Sequence, residues 1–260
     1  MLDPISDAEL EGAVDTLLES FYAKRTANLQ KLELRKVLQR KNPYLYRAVS
    51  TGVAADIVDD LLRASVSSSD ETIFGNEFFE PLALWVAAAA RRSDPSSSAR
   101  PASGAGADIE IETSNRFSFY AVKSGPSIFN AQSKKKQLEE FGQAQSRMRK
   151  LLKQFDPVIG FGYGRKPASR LGHREIAGQE FWEEMSGDPE FYVRIVTAME
   201  KSATDRAAAY ALEYDKAVNR FTRELLANFA DADGQLDWEA LVRYNSSRER
   251  PPARTWRTGG

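Results

Sequence analysis

Leu10, Val14, Leu17, Leu18 and Phe21 recur at three- and four-residue intervals, which predicts a helix with an apolar stripe turned toward a core. Ser6, with Glu9 three residues on, forms a capping box and marks its start. A second amphipathic run, Leu29, Leu32, Leu34, Val37 and Leu38, must stop before Asn42-Pro43, because proline disfavours helix in the residue before it. The stretch 6–41 therefore reads as helical. After Tyr44-Leu45-Tyr46 come a helix from about Val53 to Ala64, a polar connector from Ser65 to Asp70, and an apolar, core-forming helix from Phe74 to Ala90.

The period then changes. Arg91 to Gly106 carries Asp94-Pro95, the run Ser96 to Ser98, Pro101, Gly104 and Gly106, and reads as a mobile low-complexity loop. It delivers the chain to Asp108-Ile109-Glu110-Ile111-Glu112, a turn at Thr113 to Arg116, and a return strand Phe117 to Gly125. Strand side chains alternate, so Asp108, Glu110 and Glu112 share one face and Ile109 and Ile111 the other. On the return strand Phe119, Ala121 and Lys123 oppose Tyr120 and Val122. Lys134 to Gln154 reads as one helix with Leu138, Phe141, Ala144, Met148, Leu151 and Leu152 on its apolar side. Strands are expected at Val158 to Tyr163 and Phe191 to Met199. A long helix over about Ala203 to Phe229, a short one over Asp237 to Tyr244 and a frayed Pro- and Arg-rich tail, Arg248 to Gly260, complete the chain. There is no internal repeat.

Composition narrows the chemistry. With no Cys and a single His, His173, disulfides, Cys-ligated zinc, thiol nucleophiles and His-cluster metal sites are excluded. Any catalysis falls to carboxylates, Lys, Tyr or Ser. The longest uncharged stretch, Pro81 to Ala90, is about half of what a bilayer span needs, and the acidic N-terminus is unlike a signal peptide. A cytoplasmic protein with no membrane association is expected. Net charge is −1, yet charge is segregated: residues 1–20 hold six acids and no bases, 24–47 hold eight bases against Glu33, and 121–174 hold twelve bases against three acids. Such segregation lets one surface meet phosphates while the whole remains near neutral.

The acid-rich strand returning to Lys123 is a carboxylate-and-lysine set of the kind that holds Mg²⁺ and activates water against a phosphodiester. Three acids on one strand face repel unless they are solvated, paired or metal-bound. Among the other conspicuous residues, Glu112 reads as a turn-proximal surface acid, Phe181 and Trp182 as core anchors, Tyr44, Tyr46 and Tyr163 as core or rim aromatics, and His173 as a loop residue.

The order helix, acid hairpin, lysine strand, helix, strand resembles the PD-(D/E)XK nuclease core, and more closely the PmeII-like type II restriction endonucleases. The resemblance is carried by Lys41-Asn42-Pro43-Tyr44-Leu45-Tyr46-Arg47-Ala48, by Phe74-Gly75-Asn76-Glu77-Phe78-Phe79-Glu80, by Ala107-Asp108-Ile109-Glu110 with Ala121-Val122-Lys123-Ser124-Gly125-Pro126 and Asn130, and by Gly178-Gln179-Glu180-Phe181-Trp182 with Met185-Ser186-Gly187. It implies an α/β (α+β) restriction-endonuclease-like core with a mixed central sheet flanked by helices and an N-terminal helical region. The implied division is a helical region over 1–70, a nuclease core over 71–245 and a basic tail over 246–260. The implied activity is Mg²⁺-dependent, site-specific hydrolysis of double-stranded DNA, with Asp108 as central metal ligand and Lys123, fifteen residues on, in the position of the family's lysine.

One departure matters. The superfamily places an acid two residues before the lysine, and here that residue is Ala121. Replacement carboxylates are, in order of preference, Glu80, Glu77 and Glu110. Glu77 and Glu80 are three residues apart, so on an α-helix both could look toward the hairpin. Candidate base and phosphate contacts are Asn130, Gln132, Ser133, Lys134 and Lys135 after the lysine strand, and Arg165, Lys166, Arg170 and Arg174 in the Gly-rich loop. Palindromic DNA sites imply a homodimer, with the N-terminal helices as its expected interface, and a restriction enzyme implies a cognate DNA methyltransferase. Two alternatives remain: a noncatalytic DNA-binding protein on a nuclease scaffold, for which Ala121 speaks, and a repair or structure-directed nuclease.

Overall fold

The computed structural model describes residues 2–126, 131–148, 153–166, 172–248 and 256–258. The chain divides into two compact units, each assembled from separated stretches: Met1–Phe21 with Thr72–Thr204, and Tyr22–Glu71 with Asp205–Gly260.

The first unit is built on a sheet that, among the described residues, has five strands in the order β1-β2-β3-β4-β5. These are Ser98–Pro101, Ile109–Glu112, Arg116–Lys123, Gln154–Phe161 and Arg174–Ala177. β1, β2 and β3 pair antiparallel, whereas β3, β4 and β5 are parallel, so the sheet is mixed as the α+β expectation requires. Helix α6 (Ala131–Met148) links β3 to β4 and covers one face, where Phe141 and Ala144 join Phe117, Phe119, Ala121, Ile159 and Phe161. Helices α5 (Glu80–Ala89) and α7 (Gln179–Ser186) pack on the alternate residues. There Tyr120 donates to Glu184 and the Phe181 ring lies where a Cβ on Gly160 would stand, 2.4 Å away. Only glycine permits that approach.

Buried charge is paired on the second face. Arg174 donates to Asp156 and Glu184, and Ser118 also donates to Asp156. Hydrogen bonds to Glu184 and Asp156 raise the Arg174 guanidinium pKa despite the opposing effect of burial. Burial, then Glu184, push the Tyr120 phenol up, so it stays a donor.

Several expectations from pattern need correction. The loop expected over Arg91–Gly106 contains β1, an edge strand where Pro101 costs no ladder bond; Ser-Ala-Arg-Pro has no apolar alternation to announce it. The strand expected at Phe191–Met199 is the start of helix α8 (Phe191–Phe229), because Phe191, Ile195 and Ala198 are the buried positions, at helical spacing. The connector Ser65–Asp70 is helical within α4 (Ala54–Phe74), its serines satisfying themselves on the preceding turn: Ser65 Oγ donates to Leu61 O at 2.7 Å and Ser69 Oγ to Ser65 O at 3.0 Å. The helix expected to Gln154 is described as far as Met148, Leu151 and Leu152 lie outside the described residues, Gln154 already belongs to β4, and Leu138 is exposed. The capping box is present: Ser6 N–H donates to Glu9 Oε2 at 2.9 Å and Glu9 N–H to Ser6 Oγ at 3.3 Å, opening α1 (Asp7–Gln30).

The second unit is helical. Helices α2 (Leu34–Arg40), α3 (Pro43–Val49) and α9 (Trp238–Ser246) join the parts of α1, α4 and α8 that belong to it around Leu34, Leu38, Ile57, Leu61, Phe221, Leu225 and Phe229. Asn42 caps α3, its Oδ1 accepting from Tyr44 and Leu45 N–H. Trp256, expected in a frayed tail, instead packs against Phe229 and Tyr244. Among the described residues no helix is long and apolar enough to cross a membrane.

Candidate active site

Asp108 immediately precedes β2 and Lys123 closes β3. Because the two strands run antiparallel, both residues come to the same end of the sheet. The register pairs Ile109 with Tyr120, and Asp108 N–H donates to Tyr120 O at 2.8 Å, so continuing the ladder sets Asp108 across from Ala121. Val122 N–H donates to Asp108 Oδ2 at 2.7 Å, which fixes the carboxylate against the strand. Lys123 Nζ lies 3.4 Å from the same oxygen and donates to Val122 O at 2.8 Å. An ammonium has three donors, so the lysine is oriented with capacity left for water or phosphate.

The third member comes from a helix. Between α4 and α5 the chain makes a π-turn, Gly75–Phe79, closed by Glu80 N–H on Gly75 O. A π-turn spreads five residues where an α-turn needs fewer, and such turns gather at functional sites. The α-helical spacing expected for Glu77 and Glu80 therefore does not apply. Glu77 accepts from Ser20 Oγ at 2.8 Å, while Glu80 shares the electrostatic environment of Asp108 and Lys123. Gly75 also allows a close neighbour: a Cβ there would stand 2.6 Å from Ser124 Oγ.

Burial, and next the charge of Asp108, raise the Glu80 pKa above its ordinary 4.5, against a smaller opposing effect from Lys123. Below the ordinary value Glu80 is protonated both folded and unfolded; as pH rises through the raised folded value, ionisation costs the folded protein more, and stability is lost. Glu80→Gln should therefore raise the metal-free melting temperature at about pH 8 and leave it nearly unchanged at about pH 4. Thermal melts of both proteins in EDTA check this. A lower melting temperature for the variant at the higher pH would contradict it.

The other carboxylates are already engaged. Glu110 is 1% exposed; Oε1 accepts from Ser103 N–H and Oγ at 2.9 Å each, and Oε2 from Arg100 at 3.1 Å. Glu112 is paired with Arg100 and Lys153. The acids of β2 are thus engaged by Arg100 of β1, by Ser103 after it and by Lys153 just before β4. That arrangement could not be foreseen, since β1 carries no pattern.

Among the described residues there is no group of three or more His, Cys, Asp or Glu arranged to hold a metal. The chemistry of the Asp108 and Glu80 pair nonetheless suits a hard divalent cation: the Asp108 charge disfavours ionisation of Glu80, and Mg²⁺ takes one or two carboxylates and completes its shell with water and phosphate.

Of the candidate DNA contacts, Gln132, Ser133, Lys134 and Lys135 lie in the first turns of α6, directly after the lysine strand, and Arg165 and Lys166 follow β4. Asn130 and Arg170 lie outside the described residues. Arg174 is not a loop residue but begins β5, and its guanidinium is taken by Asp156 and Glu184 rather than presented to a base. His173 is buried, with Nε2 3.1 Å from Glu175 Oε1. Phe181 and Trp182 are core anchors as expected, with Trp182 Nε1–H donating to Gly162 O at 2.8 Å. Tyr163 is exposed, and Tyr46 packs against the helical unit's core.

A family model described as type II restriction endonuclease EcoO109I matches residues 8–207. No curated protein matches the chain.

Proposed function

Because the chain belongs to the type II restriction endonuclease EcoO109I family, we propose that it hydrolyses phosphodiester bonds of double-stranded DNA at a short specific sequence, with Mg²⁺ held by Asp108 and Glu80. The observation that carries this reading is the Asp108–Lys123 pair at the end of the hairpin, whose charges act on Glu80, a carboxyl raised by burial and by Asp108. The cation, when bound, would lower the pKa of a water and draw charge from the phosphate. Val122 N–H fixes the Asp108 carboxylate that would hold it. Lys123, tethered to Val122 O, orients the attacking water or meets the charge that grows on the phosphate oxygens. Basic side chains at the start of α6 and after β4 would meet the duplex. Two copies on a two-fold site, and a methyltransferase that protects the host's own sites, complete the proposal.

Ala121 favours the second reading, a DNA-binding protein without cleavage. The superfamily's acid would face Asp108 across the ladder; here a methyl group stands there and Glu80 supplies the carboxylate from the helix. Glu80→Gln is expected to lower cleavage by about 100-fold. Adding Ala121→Glu to that variant is expected to recover about tenfold of the loss, because the carboxylate returns to Asp108 from the strand side. Single-turnover rates on a cut plasmid, with melting curves for both proteins, read the result. Parent-like cleavage by Glu80→Gln would remove Glu80 from the site.

A further inference from the structure

Glu175 is a carboxylate that this mechanism does not use. It occupies the second position of β5, and its row runs through the sheet: Glu175 pairs with Ile159, and Ile159 with Ala121. Glu175 thus shares the sheet face of Ala121 and Lys123, roughly 10 Å from Ala121 at two strand spacings. Its side chain is 5% exposed, and three segments converge on it. Lys134 reaches Oε1 at 2.5 Å from the first turn of α6; Lys166 reaches Oε2 at 3.6 Å from the segment after β4; His173 Nε2 lies 3.1 Å from Oε1. Lys166 Nζ also stands 5.3 Å from the Phe161 ring centre. Burial alone would raise the Glu175 carboxyl, but hydrogen bonds from Lys134 and His173 and the two ammonium charges outweigh it and hold the group below its ordinary value.

The lysines are less hidden than their anchor. Lys134 is 41% exposed and Lys166 28%, and an ammonium that gives one donor to Glu175 keeps others for solvent or ligand. Two lysine charges around one carboxylate leave a positive balance even with His173 neutral. Exposed Lys135 and Arg165 extend that sign on both sides. A lone surface lysine loses much rotamer entropy on meeting a phosphate; one already tethered loses less.

We propose that Glu175 is a positioning residue that holds Lys134 and Lys166 as a paired ammonium clamp for a DNA backbone phosphate neighbouring the scissile one. The proposal rests on the nuclease reading above. It gives the start of α6 and the segment after β4 one common anchor, so that a duplex meets both in fixed register.

The test is binding of a labelled duplex in EDTA over a range of salt concentrations, which needs no cleavage. Lys134→Met/Lys166→Met should weaken binding about tenfold and make the slope of log K against log salt shallower by about 2. Glu175→Gln should weaken binding about threefold although it deletes a negative charge, since the lysines lose their anchor. A carboxylate acting only by its charge would do the reverse, because its removal favours a polyanion. Melting curves show whether Glu175→Gln is folded, and the lysine variant, altered at partly exposed side chains, carries the test if it is not. Unchanged affinity and slope in the lysine variant, or tighter binding by folded Glu175→Gln, would overturn the clamp while the parent's DNA binding leaves the nuclease reading standing. A parent that binds no duplex would overturn both.

Discussion

Asp108→Ala and Lys123→Ala are each expected to lower single-turnover DNA cleavage by about 100-fold to 1,000-fold, the usual cost of removing one group aimed at transition-state charge. The two losses have different accompaniments. Asp108 presents a negative charge to a polyanion, so its removal should leave duplex binding in EDTA intact or slightly tighter. Lys123 lies 3.4 Å from Asp108, and its removal leaves that carboxylate with the Val122 N–H as its remaining protein partner within β3, so binding should weaken modestly while chemistry fails. Combining the variants should cost far less than the product of the single losses, because both serve one phosphate. Cleavage by either variant within about tenfold of the parent would remove the hairpin from the catalytic account.

Trp182→Ala is expected to destabilise the protein by about 3–5 kcal/mol, the range for emptying a large aromatic site. The ring is fully buried, meets Phe181 edge-on at 5.0 Å and Phe79 at 6.3 Å, and its N–H reaches Gly162 O. Trp182→Phe keeps most of the packing and should cost about 1–2 kcal/mol, chiefly the buried hydrogen bond. The effect should extend to the site, because Gly162 N–H in turn donates to Lys123 O at 2.8 Å. Denaturant unfolding of the three proteins measures this. A loss below about 1 kcal/mol for the alanine variant would mean that the cavity collapses without strain.

What the sequence made legible was whatever repeats. The acid hairpin has period two and a short turn, and its strands and the Asp108–Lys123 meeting follow from that alone. The helices with apolar stripes were equally clear. Single short strands were not: β1 is Ser-Ala-Arg-Pro and β5 is Arg-Glu-Ile-Ala, four residues each, and both are specified by their neighbours rather than by their own pattern. Missing β1 concealed the Arg100 partner that engages Glu110. Missing β5 concealed Glu175 and left Arg174 in a loop. The β-branched start of α8 misled because local preference for strand is weak and yields to burial of Phe191 and Ile195. The π-turn had no signal either, and it is what separates Glu77, bound to Ser20, from Glu80 beside Asp108.

The central claim is metal-dependent cutting at a defined sequence. The most direct measurement is digestion of unmethylated plasmid and phage DNA by the purified protein with Mg²⁺ and, in parallel, with EDTA. The account predicts a fixed set of discrete fragments with Mg²⁺, none with EDTA, and ends that map to one short sequence. DNA left intact under both conditions by a folded protein that still binds duplex would contradict it, and would leave Ala121 as the mark of a nuclease scaffold that binds without cutting.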